Sequence, residues 1–387
     1  MVLGSWDLVL LTHMFHLLKQ SQINNGRIGE VVTNHGTFQT PVFMPPATYG
    51  AVKSLAISDL EELGIDIILV NALHLYLRTP PLLIKKFKGI HHFMGFKKAI
   101  LSDSGGFQAW SFQKKQSLSK ISNEGIRFIS PFDGSKHFLT PKKAIEIQHQ
   151  LGVDILMALD ECSPDNSDKD YIKKALKRTN QWALESLKAH QELAKKEEKP
   201  PLIFGIIQGG PFIDLRKEAA KFIADLPFDG IALGGETIGY NMEKTLEIIE
   251  EVKPLLKEDK PLYTMGLGGK PTDIIEVTKR GVDMFDCVNP LRLARHGELF
   301  HGKIIKDKKE VKIESEFKEG ILKISQSRFK NDKKPIDESC NCYTCSNFSR
   351  AYLRYLYLLK EPLYLRLASI HNLNYIKRLI KAIKSNF

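Results

Sequence analysis

The sequence predicts an α/β fold, a closed (β/α)8 barrel of the TIM type, on three observations. Eight short apolar runs recur along the chain, longer helix-like stretches separate them, and five of the runs end in a polar side chain. Apolar runs alternating with amphipathic stretches are the pattern of parallel strands joined by crossover helices. Eight strands close a barrel, and 387 residues suffice for one large barrel.

The predicted strands occupy residues 42–44, 67–71, 99–103, 154–160, 203–208, 231–235, 262–265 and 284–286. Between them, residues 59–63 read as a helix capped by Ser58, with Glu61 reaching back in an S-x-x-E capping box. Residues 142–151 read as a helix with Thr140 as its N-cap and Pro141 at its first position. Residues 171–193 form a long amphipathic stretch. Residues 298–323, lysine-rich with Val, Ile and Leu alternating with charge, read as irregular or β structure on the surface. From Tyr352 to the end a 3.6-residue apolar period returns, with Lys377, Arg378, Lys381 and Lys384 on polar faces.

Asn71, Asp103, Asp160, Gln208 and Asp286 end five of the predicted strands. In a β/α barrel the C-terminal ends of the strands form one mouth, where these side chains converge. Singly, each is more often an N-cap or turn residue. Five at equivalent places favour a site.

Three of the five cysteines fall within six residues, as Cys340-Asn341-Cys342-Tyr343-Thr344-Cys345, and His371 follows downstream. Thiolates so close in sequence share one tetrahedral ion, with an imidazole from a later helix as fourth ligand. The chain is therefore expected to hold one structural zinc ion per subunit, on a C-terminal zinc-binding helical subdomain. The bland alternative is a reduced cysteine cluster with a surface His371. Cys162 and Cys287 read as small core residues. An odd number of cysteines, three of them clustered, excludes a secreted disulfide framework and points to the cytoplasm.

A net charge of +11 favours a polyanionic partner, although a lysine-rich surface alone produces the same balance. The apolar residues 8–11 are too few to span a bilayer, so no membrane partner is expected. Residues 1–13 read as an extension ahead of Met14, and residues 14–387 as one domain. The barrel is placed at about residues 40–300 and the zinc-binding segment at about 335–387.

Asp103-Ser104-Gly105-Gly106-Phe107-Gln108 follows a strand and carries glycines that let backbone approach a ligand. Asp160-Glu161-Cys162-Ser163-Pro164, Phe204-Gly205-Ile206-Ile207-Gln208-Gly209-Gly210 and Met284-Phe285-Asp286-Cys287-Val288 follow in that order. With the C-x-C-x2-C…His pattern, the chain closely resembles the tRNA-guanine transglycosylases, bacterial type, from about Gly26 onward. The resemblance implies exchange of the wobble guanine of a tRNA for a free 7-deazaguanine base, 7-aminomethyl-7-deazaguanine, in queuosine synthesis, by a homodimer. Asp286 matches the nucleophile that forms a covalent bond to ribose, as in retaining glycosyl transfer, and Asp103 the general acid/base. Asn71 matches the residue that holds Asp103. Asp160, Gln208 and the amide of Gly235 match the guanine-edge contacts, and Ser104 counts with them. Phe107 and Met265 match the residues that sandwich the base, and Arg292 and Arg295 those that grip the RNA backbone. Lys303, Lys306, Lys308 and Lys309 either extend that basic footprint or are soluble surface. Asp283 reads as structural.

The chain departs from the family after the sixth strand, where Gly234-Gly235-Glu236-Thr237-Ile238-Gly239-Tyr240 replaces G-G-L-(S/A)-V-G-E. Glu236 is expected to face a cationic arm, or Tyr240 to reshape the pocket for a bulkier base such as queuine. Ala72-Leu73, Gly268-Gly269 and Leu291 also differ. Rival readings are a silent tRNA-binding subunit, a metal-dependent barrel hydrolase and a transglycosylase acting elsewhere in tRNA. Retention of both aspartates opposes the first. A single strand-end histidine, His74, opposes the second, and the chain's end soon after His371 opposes the third.

Overall fold

The computed structural model describes residues 14–387 apart from residues 80, 117–118, 268 and 308–309. The extension read at residues 1–13, Gly268 of the Gly-Gly pair, and Lys308 and Lys309 therefore lie outside the described residues.

Eight parallel strands form one sheet: β1 (Val42–Met44), β2 (Ile67–Val70), β3 (Ala99–Ser102), β4 (Ile155–Met157), β5 (Leu202–Ile207), β6 (Gly230–Leu233), β7 (Leu262–Thr264) and β8 (Met284–Asp286). Neighbours in sequence are neighbours in space, and β8 pairs back onto β1 with Asp286 opposite Met44. A parallel bridge between Pro46 and Leu69 joins β1 to β2 and completes the ring. This is the predicted α/β barrel.

Strand alternation divides the apolar residues into two cores. Met44, Ile67, Leu69, Ala99, Leu101, Ile155, Met157, Leu202, Phe204, Ala232, Tyr263 and Met284 fill the barrel interior. The intervening residues, including Ile68, Val70, Ile100, Leu156, Ile203, Ile231, Leu262 and Phe285, pack outward against the helices. The period of two also carries function. Asn71 continues the inward row of Ile67 and Leu69, Asp103 that of Ala99 and Leu101, Gln208 that of Phe204 and Ile206, and Met265 that of Tyr263. Asp286 continues that of Met284.

An antiparallel sheet of Phe15–Gln20, Arg27–Thr33 and Gly36–Gln39 closes the N-terminal end of the barrel, adding Phe15, Val31 and Phe38 to the inner core. Arg27 reaches from this sheet to Asp283, the residue before β8, with Nη2–Oδ2 at 2.6 Å and Nε–Oδ1 at 3.1 Å. Asp283 thus sits at the floor in an ion pair with Arg27, in keeping with its reading as structural. The long helix is Lys169–Ala194, capped by Asp168, and helix Pro141–Leu151 takes its cap from Thr140, whose hydroxyl accepts the Lys143 amide.

Two local expectations are corrected. The helix near residue 59 is Ile57–Glu62, starting two residues earlier than Ser58 as cap requires. Its first turn is closed by the Asp59 carboxylate, which accepts the Ala56 amide at 2.9 Å and also binds Arg366. The 298–323 segment is β structure, but it is not confined to the surface. Leu299, Phe300 and Leu322 are fully buried, because Glu298–Phe300 pairs with Ile321–Lys323 beneath the C-terminal helix Pro362–Lys384.

Candidate active site and metal centre

At the mouth, Asp103 follows β3 and is buried. Its Oδ2 accepts Asn71 Nδ2 at 2.5 Å and its Oδ1 accepts the Ala72 amide at 3.0 Å. Asn71 also N-caps helix Ala72–Arg78, its Oδ1 accepting the His74 amide at 2.9 Å. One side chain therefore both starts the helix and holds the Asp103 carboxylate. Burial pushes Asp103 up to about 7; the Ala72 amide opposes this, and the charges of Asp286 and Asp160 add to it.

Asp286 ends β8. Its Oδ1 accepts both the Tyr263 hydroxyl at 2.7 Å and the Gly266 amide at 2.9 Å. Burial raises its pKa, and those two donors hold it back. Asp103 and Asp286 rise from strands separated by β1 and β2 around the ring, and each faces inward over the same core.

Asp160, three residues past β4, accepts Gln208 Nε2 at 2.7 Å on Oδ2 and Ser104 Oγ at 3.2 Å on Oδ1. Burial pushes it up to about 6 against those two hydrogen bonds. The glycines of the D-S-G-G motif have a measurable reason here. A Cβ on Gly106 would lie 2.6 Å from the Asp160 carbonyl oxygen, so only glycine lets the two loops meet. At Gly235, after β6, φ is +116° and a Cβ would lie 2.9 Å from Arg216 Nη2. Met265 directly follows β7, and Phe107 lies in the first turn of helix Gly106–Gln116 and is 46% exposed.

Three supporting residues were not foreseen. Tyr263 is an inward barrel residue whose hydroxyl happens to reach Asp286; an aromatic in an apolar run gives no sign of that. Arg216 is fully buried, donating to the carbonyls of Ile207 (2.9 Å), Gly210 (2.8 Å) and Gly234 (2.7 Å), and so locks the ends of β5 and β6 together. Asn372, on the C-terminal helix, accepts the Phe300 amide and donates to the Pro290 carbonyl, tying that helix to the segment after Asp286. An Asn on the apolar side of an amphipathic helix is the available hint.

The departing loop is clasped to the loop after β4. Glu236 Oε2 accepts the Asp165 amide at 3.1 Å, and Thr237 Oγ1 donates to Asp165 Oδ1 at 2.5 Å. The charges of Asp160, Glu236 and Asp165 all bear on buried Cys162 and, with burial as the largest cause, hold its thiol protonated. Tyr240 is 84% exposed and points to solvent, so it does not line the pocket. Arg292 and Arg295 lie on helix Asn289–Arg295, directly after the Asp286 strand. Burial and the charge of Arg292 lower the pKa of Arg295, whose Nη1 has no hydrogen-bond partner among the described residues. Lys303 and Lys306 sit in strand Lys303–Lys306 with exposed side chains.

In the C-terminal region Cys340, Cys342, Cys345 and His371 form one buried group, so His371 is no surface residue. Their sulfurs lie 3.8, 3.7 and 3.3 Å from His371 Nδ1. A tetrahedral ion with zinc-like bond lengths sets such ligand pairs about 3.5 Å apart. His371 Nε2 donates to the Phe300 carbonyl at 2.6 Å, which turns the Nδ1 lone pair into the cluster. Asn374 Nδ2 and the Cys345 amide donate to sulfurs of Cys340 and Cys342. The donor set fits a metal ion. A second group, His35, His91 and Asp154, lies at the barrel floor, but its imidazoles stack at 3.5 Å and 13°. Lone pairs in parallel planes do not converge on one ion, so this group reads as a hydrogen-bonded clamp on Asp154.

With this geometry in place, the similarities of the chain are informative. Residues 22–387 match the family model described as queuine tRNA-ribosyltransferase. The chain is 44% identical to the queuine tRNA-ribosyltransferase of Thermoanaerobacter pseudethanolicus over 370 residues, covering 96% of this chain and 92% of that one. Similar relatives of the same name occur in Bacillus licheniformis, 42% identical over 96% of this chain and 91% of that one, and in Psychrobacter cryohalolentis, 43% identical over 94% and 90%.

Proposed function

Because this chain belongs to the queuine tRNA-ribosyltransferase family, we propose that it exchanges guanine at the anticodon wobble position of a tRNA for a free 7-deazaguanine base. The observation that carries the reading is the pair Asp103 and Asp286. The buried carboxylate of Asp103 and the half-buried one of Asp286 stand at strand ends on different sides of one mouth, close enough for the charge of Asp286 to raise the pKa of Asp103.

In the proposed first step, Asp286 Oδ2 attacks the anomeric carbon of the ribose, since Oδ1 is occupied by Tyr263 and Gly266. The glycosidic C–N bond breaks, its electron pair goes to the departing guanine nitrogen, and Asp103 supplies the proton. In the second step the incoming base gives a proton to Asp103, its nitrogen attacks the same carbon, and the Asp286 carboxylate leaves. Two displacements on opposite faces return the original stereochemistry. A carboxyl at about 7 is suited to giving and taking one proton near neutrality. Asp160, Gln208, Ser104 and the Gly235 amide read the base edge, Phe107 and Met265 enclose its faces, and Arg292 and Arg295 hold the RNA backbone.

The favoured incoming base is 7-aminomethyl-7-deazaguanine. The partly exposed Glu236 carboxylate, beside Asp160 and Asp165, offers a negative wall to an ammonium arm. An exchange assay comparing that base with queuine tests this, and a preference for queuine would assign the loop differently. Zinc is the proposed ion for Cys340, Cys342, Cys345 and His371; four protein ligands leave no open position, so its work is to brace the C-terminal helix. A homodimer acting in the cytoplasm completes the reading. Exposed Tyr343, Tyr352, Tyr355, Leu358 and Leu359 support the dimer, as an apolar face that a second copy would cover. Light scattering at twice the 43.9 kDa chain mass is the expected result.

The decisive experiment incubates tRNA with Asp286→Asn. The variant is expected to lose the denaturant-resistant enzyme–RNA adduct and about four orders of magnitude in exchange, while still binding tRNA. An adduct formed by this variant would assign the nucleophile elsewhere.

A further inference from the structure

Beside the Asp103 side of the mouth, two exposed aromatic rings from separate loops meet a partly buried histidine and an exposed arginine of helix Ala72–Arg78. Tyr49, in the loop after β1, is 48% exposed, and Phe132, in the turn between strands Gly125–Ile129 and Lys136–Leu139, is 38% exposed. His74 lies between them, its ring centroid 5.2 Å from Tyr49 and 6.1 Å from Phe132. Arg78, one helical turn beyond His74 and itself exposed, places its guanidinium 4.6 Å from the Phe132 centroid. The group adjoins the proposed chemistry directly, because the His74 amide donates to Asn71, which donates to Asp103.

Large aromatics in loops at the rim of a polar site are poorly explained by packing, since packing would bury them. They suit a flat partner. A nucleoside whose sugar lies between Asp103 and Asp286 must be drawn out of its stack, and its neighbour on the strand then loses a stacking face. That neighbour stays tied to the reacting sugar through a single phosphate, and the backbone that carries His74 is itself hydrogen-bonded to Asn71 beside Asp103. Resting on the base-exchange reading above, we infer that Tyr49, His74 and Phe132, edged by Arg78, form a stacking shelf for the nucleobase next to the exchanged guanine. Burial and Arg78 lower the pKa of His74, so at neutral pH it presents an uncharged ring to a base. Arg78 supplies the positive edge that a neighbouring phosphate requires.

The test uses the full-length protein and an anticodon stem-loop RNA carrying 2-aminopurine on one or the other side of the exchangeable guanosine. Tyr49→Leu with Phe132→Leu keeps apolar bulk and removes two rings; Tyr49→Phe with Phe132→Tyr keeps the rings. The leucine pair is expected to raise KM for the RNA about tenfold or more, with a smaller change in kcat, and to lose the 2-aminopurine response seen with the unaltered protein. The aromatic pair is expected to retain both. An unchanged KM and fluorescence response in the leucine pair, equal losses in both pairs, or no response from either flanking position would overturn the shelf. Those results leave guanine exchange intact, whereas failure of the unaltered protein to incorporate labelled guanine at all removes the base-exchange reading beneath it.

Discussion

The two ends of this barrel bury the same residue type and treat it in opposite ways. At the floor, Asp283 and Asp154 face cationic or imidazole partners: Arg27 for the first, His91 at 3.0 Å and His35 at 2.8 Å for the second. Although burial alone would raise it, the bonds from His91, the Ile100 amide and His35 hold Asp154 below the usual carboxylate range. Burial would likewise lower Arg27, but Asp283 and Glu258 outweigh it and raise its pKa. At the mouth, Asp103, Asp160 and Asp286 face only neutral donors, and no ion pair involves them among the described residues. Their pKa values all rise. Paired acids close a barrel, while unpaired acids keep protons and lone pairs available near neutral pH.

The largest test of this contrast is Asp103→Asn, expected to slow base exchange by about 10²–10⁴-fold, measured by incorporation of labelled guanine into tRNA. The same variant reports on stability. Asp103 holds its proton more tightly folded, at about 7, than at the ordinary value of 3.8. The stability that goes with this proton is fully present below pH 3.8 and lost as pH rises through 7. Asp103→Asn should therefore melt higher than the unaltered protein at pH 8, with the gain shrinking toward pH 4. A variant that is less stable at pH 8 would mean that the mouth is not strained.

At the floor burial raises the Asp283 pKa as well, but there Arg27 opposes it, and removing that partner is expected to cost stability. Arg27→Met leaves Asp283 buried without its cation and should cost about 3–5 kcal/mol in denaturant unfolding. Activity per folded molecule should be kept. Loss of activity out of proportion to unfolding would show that floor and mouth are coupled.

Tyr263→Phe is a smaller perturbation, removing one donor from Asp286. Exchange should fall about tenfold, in line with roughly 1.5 kcal/mol for a hydrogen bond to a charged group. The hydroxyl holds the Asp286 pKa down, so the acid limb of the pH–rate profile should move to higher pH. A slower enzyme with an unmoved profile would make Tyr263 a packing residue. The smallest effect belongs to His35→Ala, below about 1 kcal/mol, because His35 is partly exposed and Asp154 keeps His91 and the Ile100 amide. A larger loss would make the stacked histidines a principal fastening of the floor.

Much of this contrast can be read in the chain before folding, and some cannot. The eight apolar runs are each within a few residues of their strands, because a strand's length and its exclusion from water are local properties of side chains. The same periodicity places Asn71, Asp103, Gln208 and Asp286 on the inner row. The C-x-C-x2-C spacing and His371 were likewise legible, since a metal ion demands particular ligands at short range.

What sequence alone determined is the set of groups that can do chemistry, and that the strand ends at the mouth carry acids. Only the tertiary structure decided which acids are neutralised. Arg27 and Asp283 stand 256 positions apart, and nothing local to either announces the pair. Tyr263 becomes a donor to Asp286, Arg216 a tie for three carbonyls and Tyr240 a solvent-facing side chain only after distant strands and loops are set side by side. An ionisable group's behaviour is set by the dielectric and charges within a few ångströms, and those neighbours come from everywhere in the chain.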